Sequence, residues 1–332
     1  MMVTAWVPDV LPGFEQTTLT DWTATDGPAD ATLIRRSCPG ASRKGVLYVH
    51  GYVDYFFQTH LADFYNNAGL HFYTVDLRRH GRSMRDYQLP NCTNDIDEFL
   101  QDVDAAVSLL QRQEGIDWLL LNGHSTGGLV AALYGHRGQH RSAINAIFLN
   151  SPFLDMNLPA WQETILVPVV ALLGALFPRW QLPHQASFYG ESLHADHHGE
   201  WRYNTHWKPI EGFPVYAAWF RAIHRAQAEV ARGLSIDCPV LVMHAQRSAW
   251  PKQWSDEALI TDTVLDVADI RRLSPWLGLQ VEVRSVADGV HDLVLSKPIP
   301  RQVVFKELLG WLVRVGGSHE LNRASVLAPH VT

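Results

Sequence analysis

Cysteine is scarce in this chain of 332 residues, with three in all at Cys38, Cys92 and Cys238. So few, odd in number and widely spaced, they do not make a disulfide framework and indicate a reducing compartment. Long apolar runs are missing as well. None reaches the roughly 18 residues a spanning helix needs, so no transmembrane segment is expected. Charge is thin, at 18% of residues with a formal net charge of −7, and no stretch is densely basic. That excludes an electrostatic surface for nucleic acid, and no nucleic-acid partner is expected. Residues 1–14 lack a basic start followed by an apolar core, so no signal peptide is expected and the predicted location is cytoplasmic. Internal repeats and low-complexity tracts are missing too. What is there is a globular composition, 47% hydrophobic. Its length suits one large domain, or a core domain carrying an insertion.

One stretch organises the rest. The apolar run Trp118-Leu119-Leu120-Leu121 leads into Asn122-Gly123-His124-Ser125-Thr126-Gly127-Gly128, and helix-compatible residues follow from Leu129 to Tyr134. This is strand, sharp turn and helix with a serine at the turn, the arrangement of a nucleophile elbow. Glycine at 123 and 127 lets strand and helix pass close together. The Ser125 hydroxyl then projects above the sheet edge, and the Thr126 backbone N–H points where an oxyanion would sit.

In chain order, residues 17–20 and 31–36 read as lead-in strands separated by Asp26-Gly27-Pro28. The unbroken apolar run 45–49 ending in His50-Gly51 reads as a buried parallel strand. Residues 57–68 predict a helix closing at Gly69, 71–76 a strand, and 95–113 a helix. That second helix has one apolar stripe of Ile96, Phe99, Val103, Val107 and Leu110, with Asn94 or Asp95 as N-cap. Residues 144–150 form another buried strand. Alternation then stops from Phe153 to about Gly233, and resumes with strands at 239–244 and 280–286 and a helix over 301–313. The expected fold class is α/β, a mostly parallel sheet with helices on both faces, its reactive groups beyond the carboxyl ends of the strands. The expected division is a core domain over 1–152 and 235–316, a largely helical cap inserted at 153–234, and a flexible tail at 317–332.

A serine hydroxyl needs a base within hydrogen-bond reach, and in this architecture the chain order is serine, acid, histidine. His291 follows the last strand and is the expected base. His244 ends a strand but precedes any suitable acid, and His206 and His224 fall in the cap. The acid should lie just past the strand ending at His244, yet Ala245-Gln246-Arg247-Ser248 carries no carboxylate. The candidates downstream are Asp256, Glu257, Asp262, Asp266 and Asp269. Asp262 is favoured and Asp266 is next. The second oxyanion donor is expected from the loop after the first central strand, as the Tyr52 N–H, with His50 shaping that loop.

These landmarks, Val49-His50-Gly51, Asp76-Leu77-Arg78-Arg79-His80-Gly81-Arg82-Ser83, Gly123-His124-Ser125-Thr126-Gly127-Gly128 and Val290-His291-Asp292, resemble those of α/β-hydrolases. Within them the chain looks like the lysophospholipase, monoacylglycerol lipase and serine-aminopeptidase-like group. The resemblance implies Ser125 as nucleophile, His291 as base, Tyr52 and Thr126 as oxyanion donors, and the first Asp of Asp-x-x-x-Asp, here Asp262, as acid. It implies no cofactor and no metal. The sequence departs from the pattern at Arg79, where the group usually has glycine, and in the distance of the acid from its strand.

The expected function is a serine esterase cleaving a carboxylic ester with an apolar acyl or alkyl part. A peptidase or amidase on the same residues, and a non-catalytic hydrolase-fold binding protein, stay open. The apolar segment 165–177 reads either as a lid helix lining an acyl pocket or touching lipid, or as a buried cap helix. The first version would bring a lipid-like substrate and transient contact between the cap and a membrane surface. His194-Ala195-Asp196-His197-His198 reads as a surface loop rather than a metal site. The tryptophans of the insertion read as packing cap against core.

Overall fold

The computed structural model describes residues 4–24, 26–156, 174–183 and 188–316. Among these, nine strands form one sheet: β1 (Val7–Pro8), β2 (Glu15–Ala24), β3 (Gly27–Arg36), β4 (Lys44–Val49), β5 (His71–Asp76), β6 (Trp118–His124), β7 (Ile144–Asn150), β10 (Val240–Ala245) and β11 (Val281–Val286). Their spatial order is β1-β2-β3-β5-β4-β6-β7-β10-β11. From β5 to β11 every pairing is parallel, whereas β1, β2 and β3 add antiparallel strands at one edge.

Side-chain alternation along the central strands builds two cores, one on each face. Val46, Tyr48 and Leu120 enter a cluster with α1 (Thr59–Asn67) and α7 (Pro298–Val315). Leu47, Val49, Leu119 and Leu121 enter the other, with α2 (Asp97–Arg112) and α3 (Thr126–Arg137). The predicted stripe of α2 is buried throughout. The helix begins at Asp97, two residues later than expected, with Ile96 in the N-cap place, although the Asp95 carboxylate still accepts the Asp97 N–H at 3.1 Å.

Between β7 and β10 the chain leaves the sheet. The described part of this excursion holds a ribbon of β8 (Gln181–Leu182) and β9 (Val215–Tyr216), then α4 (Tyr189–Leu193) and α5 (Ala217–Ala231). Helix α5 sends Trp219, Ile223, Ala226 and Val230 into the same core as α3. The expected lid segment lies outside the described residues up to 173, as does the expected tail at 317–332. Residues 174–176 are helical, and Leu176, Phe177 and Trp180 are exposed. Trp180 thus stands apart from Trp201, Trp207 and Trp219, which do pack against the core.

After β4 the chain crosses to β5 on one side, then returns to β6 on the other. The two connections diverge at the carboxyl ends of β4 and β6, which opens the crevice where α/β sheets place reactive groups.

Candidate active site

Ser125 sits at the end of β6 with φ 52° and ψ −118°, a conformation that costs a residue with a side chain on the order of 1–3 kcal/mol. The surroundings hold it there. Its N–H donates to the Asn150 carbonyl at 3.0 Å, and its own carbonyl accepts from Gly128, Leu129 and Phe153 at 2.9, 3.1 and 3.0 Å. A Cβ at Gly123 would lie 2.3 Å from the Gly127 carbonyl oxygen, and one at Gly127 would lie 2.3 Å from those of Val49 and His50. No side chain fits at either position.

His291, in the turn after β11, places Nε2 3.0 Å from Ser125 Oγ and Nδ1 2.9 Å from Asp262 Oδ2. A carboxylate only accepts, so the Nδ1 proton faces Asp262, leaving Nε2 to accept the serine proton. His291 and Asp262 are buried. Asp262 Oδ1 accepts the N–H groups of Val264 and Leu265, both at 2.8 Å, which fixes the carboxylate without using its inner oxygen.

The distance of Asp262 from its strand has a simple cause. Ser248, three residues beyond β10, bridges to Asp262; Asp262 N–H donates to Arg247 at 3.1 Å and Ala249 N–H to Asp262 at 3.0 Å. The excursion 250–261 therefore returns the chain to the strand tip. Three of the four other candidates are occupied elsewhere. Asp266 caps α6 (Val267–Leu273) through the Ala268 N–H, Asp269 pairs with Arg272 and Glu257 with Arg247. His244 turns Nδ1–H to the Ala245 carbonyl, and burial lowers its pKa.

Thr126 opens α3, so its N–H has no intrahelical acceptor. On the other side Gly51 presses against Ser125: a Cβ there would be 3.0 Å from Ser125 Cβ. Tyr52, the expected second donor, follows Gly51 directly in the chain. His50 shapes the loop, with Nδ1–H donating to the Gly51 carbonyl at 2.8 Å and Nε2 accepting the Leu77 N–H at 3.1 Å.

Several residues of the site escaped the sequence reading. Asn150 accepts the Ser125 N–H on its backbone, while its side-chain amide donates to Asp292 Oδ1 at 2.7 Å and accepts the Leu293 N–H at 3.2 Å. One asparagine thus ties the elbow to the chain that carries His291. Its signal was a polar residue closing an apolar strand, since a buried amide needs partners. Tyr189 of α4 meets the His291 ring edge-on at 5.4 Å, and its hydroxyl accepts the Asp292 N–H at 3.2 Å. Burial, with Asp292 and Asp54 nearby, pushes the Tyr189 phenol far up and keeps it neutral.

The nearest approach to a metal-ligand set among the described residues is Asp54, His124 and Asp292, each offering one atom within 4.8 Å of the others. The Lys208 ammonium already sits 2.8 Å from Asp54 Oδ1, and Asn150 and Gln58 donate to Asp292. In 194–198 the imidazoles diverge: His198 stacks on Trp254 at 3.6 Å, whereas Asp196 is exposed beside Arg202. His194, expected on a surface loop, is instead buried against Tyr203, because its Nδ1 folds back to accept the Asp196 N–H.

Arg79 replaces glycine at φ 66°, where glycine is at ease. Its guanidinium is buried between Asp26 and Glu98, and its carbonyl accepts the Asn91 N–H at 2.9 Å and the Asn91 side-chain amide at 3.0 Å. These contacts hold the left-handed turn that the side chain disfavours.

A family model described as serine aminopeptidase, S33, matches residues 40–250. The monoacylglycerol lipase of Mycolicibacterium smegmatis is 25% identical over 295 residues, covering 83% of this chain and 90% of that protein. Among solved structures, a soluble variant of monoglyceride lipase from Saccharomyces cerevisiae, bound to a substrate analogue, superposes with a TM-score of 0.63 at 16% identity, covering 90% of this chain and 95% of that one. A monoacylglycerol lipase from Paleococcus ferrophilus gives 0.62 at 19% identity, over 85% and 98%. A thermostable carboxyl esterase from Bacillus coagulans gives 0.63 at 13%, over 92% and 99%. At these identities the structural likeness establishes the α/β-hydrolase fold.

Proposed function

We propose, from the premise that this chain belongs to the serine aminopeptidase S33 family, that it cleaves carboxylic esters through an acyl-enzyme on Ser125. The observation that carries this reading is the buried relay from Ser125 Oγ through His291 to Asp262, at 3.0 and 2.9 Å. His291 Nε2 accepts the hydroxyl proton as Oγ bonds to the ester carbon. The carbonyl electron pair moves to oxygen, where the Tyr52 and Thr126 N–H groups hold it, each lowering the barrier by about 2.7–4 kcal/mol. Asp262 stabilises the imidazolium. As the carbon–oxygen bond to the leaving alcohol breaks, His291 returns the proton to that alcohol. Water then attacks the acyl group by the same route and frees Ser125.

The substrate in this reading is a small lipid-like ester, consistent with the monoacylglycerol lipase relative and with the apolar run 165–177. The insertion 153–234 acts as a cap; Tyr189 and Trp219, which reach His291 and Tyr52, support that role. Exposed Leu176, Phe177 and Trp180 support transient contact of the cap with a membrane surface, while no helix of the described residues is long and apolar enough to cross one. Free Cys38, Cys92 and Cys238 support a cytoplasmic location.

The family's description also names an aminopeptidase, which needs a carboxylate for a free amine. Among the described residues three buried carboxylates have partners already, Asp262 with His291, Asp54 with Lys208 through Oδ1, and Asp292 with Asn150 and Gln58. That favours the ester. Turnover of p-nitrophenyl butyrate against an aminoacyl anilide tests the choice: the ester is expected to be hydrolysed far faster, and a preference for the anilide would overturn it.

A further inference from the structure

The loop that follows β4 is held mainly from outside. Tyr52 Oη donates to the Pro214 carbonyl at 3.0 Å, and its ring packs on Trp219 at 4.3 Å. Tyr55 Oη accepts the Asn204 N–H at 2.7 Å. The deepest of these contacts is Lys208. Only 6% exposed, it sends its ammonium to Asp54 Oδ1 at 2.8 Å and to the Val53 carbonyl at 3.3 Å. Three rings, Phe57, Tyr189 and Tyr203, surround the charge at 5.7–5.9 Å.

Val53 is the unusual residue in the loop. Its φ is +49°, a genuine outlier for a β-branched side chain. Its N–H donates to Asn91 Oδ1 at 2.8 Å, and its carbonyl accepts from Lys208. Two side chains from distant parts of the chain therefore grip both polar groups of one strained residue, directly after Tyr52. Freed of either grip, Val53 relaxes toward negative φ and turns the peptide next to the one that carries the Tyr52 N–H.

We propose that Lys208 is a positioning residue: the bond from its ammonium to the Val53 carbonyl keeps the Tyr52 N–H aimed at the oxyanion formed on Ser125. Neutralising Asp54 would need only one of the two bonds. The second is what couples the cap segment to the transition state. The inference rests on Ser125 as nucleophile and Tyr52 as donor.

The test compares Asp54→Asn with the double variant Asp54→Asn/Lys208→Met in the full chain. The single change removes the counter-charge of Lys208 but leaves its amine within reach of the Val53 carbonyl, so it carries the cost of the broken ion pair alone. The double change removes both charges together, so no unpaired charge stays buried, but it loses the grip on Val53. Three quantities are read: kcat and KM for p-nitrophenyl butyrate, inhibition by an alkyl trifluoromethyl ketone, and Tm. The single variant is expected to hold kcat within about threefold of wild type. The double variant is expected to lose about 30- to 100-fold in kcat with KM little changed and Tm no lower than that of the single variant. Its affinity for the ketone should fall in step with kcat/KM. Equal kcat in the two variants, whether both fast or both slow, overturns the proposal. Should the double variant not fold, Asp54→Asn/Lys208→Gln, which also leaves no buried charge and is too short to hold both positions, is read the same way. Failure of the underlying reading looks different: wild type would be insensitive to the ketone, or Ser125→Ala would still hydrolyse the ester.

Discussion

The two proposed oxyanion donors lie on opposite sides of Ser125 and are held by opposite means. The elbow that carries Thr126 is fixed by backbone groups, through glycines that admit no side chain and four backbone hydrogen bonds on Ser125. The loop that carries Tyr52 is fixed through side-chain hydrogen bonds that join it to Asn91 and to residues 204–214. A device built from backbone groups survives side-chain changes elsewhere. A device built from long-range contacts makes the site answer to the cap.

Four changes probe this contrast, from the largest expected effect to the smallest. Asp262→Asn removes the acceptor that sets the His291 tautomer, and kcat is expected to fall roughly 10⁴-fold. Asp266→Asn, which touches only a helix cap, should leave turnover near wild type; the reverse pattern in ester kinetics would move the acid. Gly123→Ala drives a Cβ onto the Gly127 carbonyl and is expected to cost several degrees of Tm together with activity, because the elbow cannot adjust. Gly51→Ala meets Ser125 Cβ at 3.0 Å on the softer side. There a fall in kcat with a smaller loss of Tm is expected, and equal Tm losses in the two alanine variants would erase the contrast.

The smallest effect is a pH dependence on the cap side. His60 stacks on Trp201 at 4.6 Å and donates Nε2–H to the Val294 carbonyl, and burial takes its pKa down to about 4 from 6.5. Between those values the unfolded chain binds a proton that the folded chain refuses. Stability is therefore lost as pH falls from 6.5 toward 4. His60→Gln is expected to flatten that part of the Tm profile, and an unchanged slope would contradict it.

The contrast also explains what could be read in advance. The elbow, the strand before it and the helix after it are local, so periodicity and Gly-x-Ser-x-Gly spacing reveal them. His291 followed from its place after the last strand. Asp262 was harder, because its return to the tip of β10 depends on a bridge to Ser248 that no spacing rule contains. Asn150, Tyr189 and Lys208 carry no local signal of their roles. Each matters through partners that lie 25 or more residues away in sequence, and only the folded chain joins them. Arg79 is the converse case. A residue that breaks the glycine pattern is kept by two ion pairs, from Asp26 and Glu98, that the pattern does not mention.

The central claim is that one serine, Ser125, forms the acyl-enzyme. Intact-mass and peptide mass spectrometry after treatment with a fluorophosphonate tests it most directly. The expected result is one adduct, on the peptide containing Ser125, absent from Ser125→Ala together with ester hydrolysis. An adduct on another residue, or hydrolysis that persists in Ser125→Ala, would contradict it.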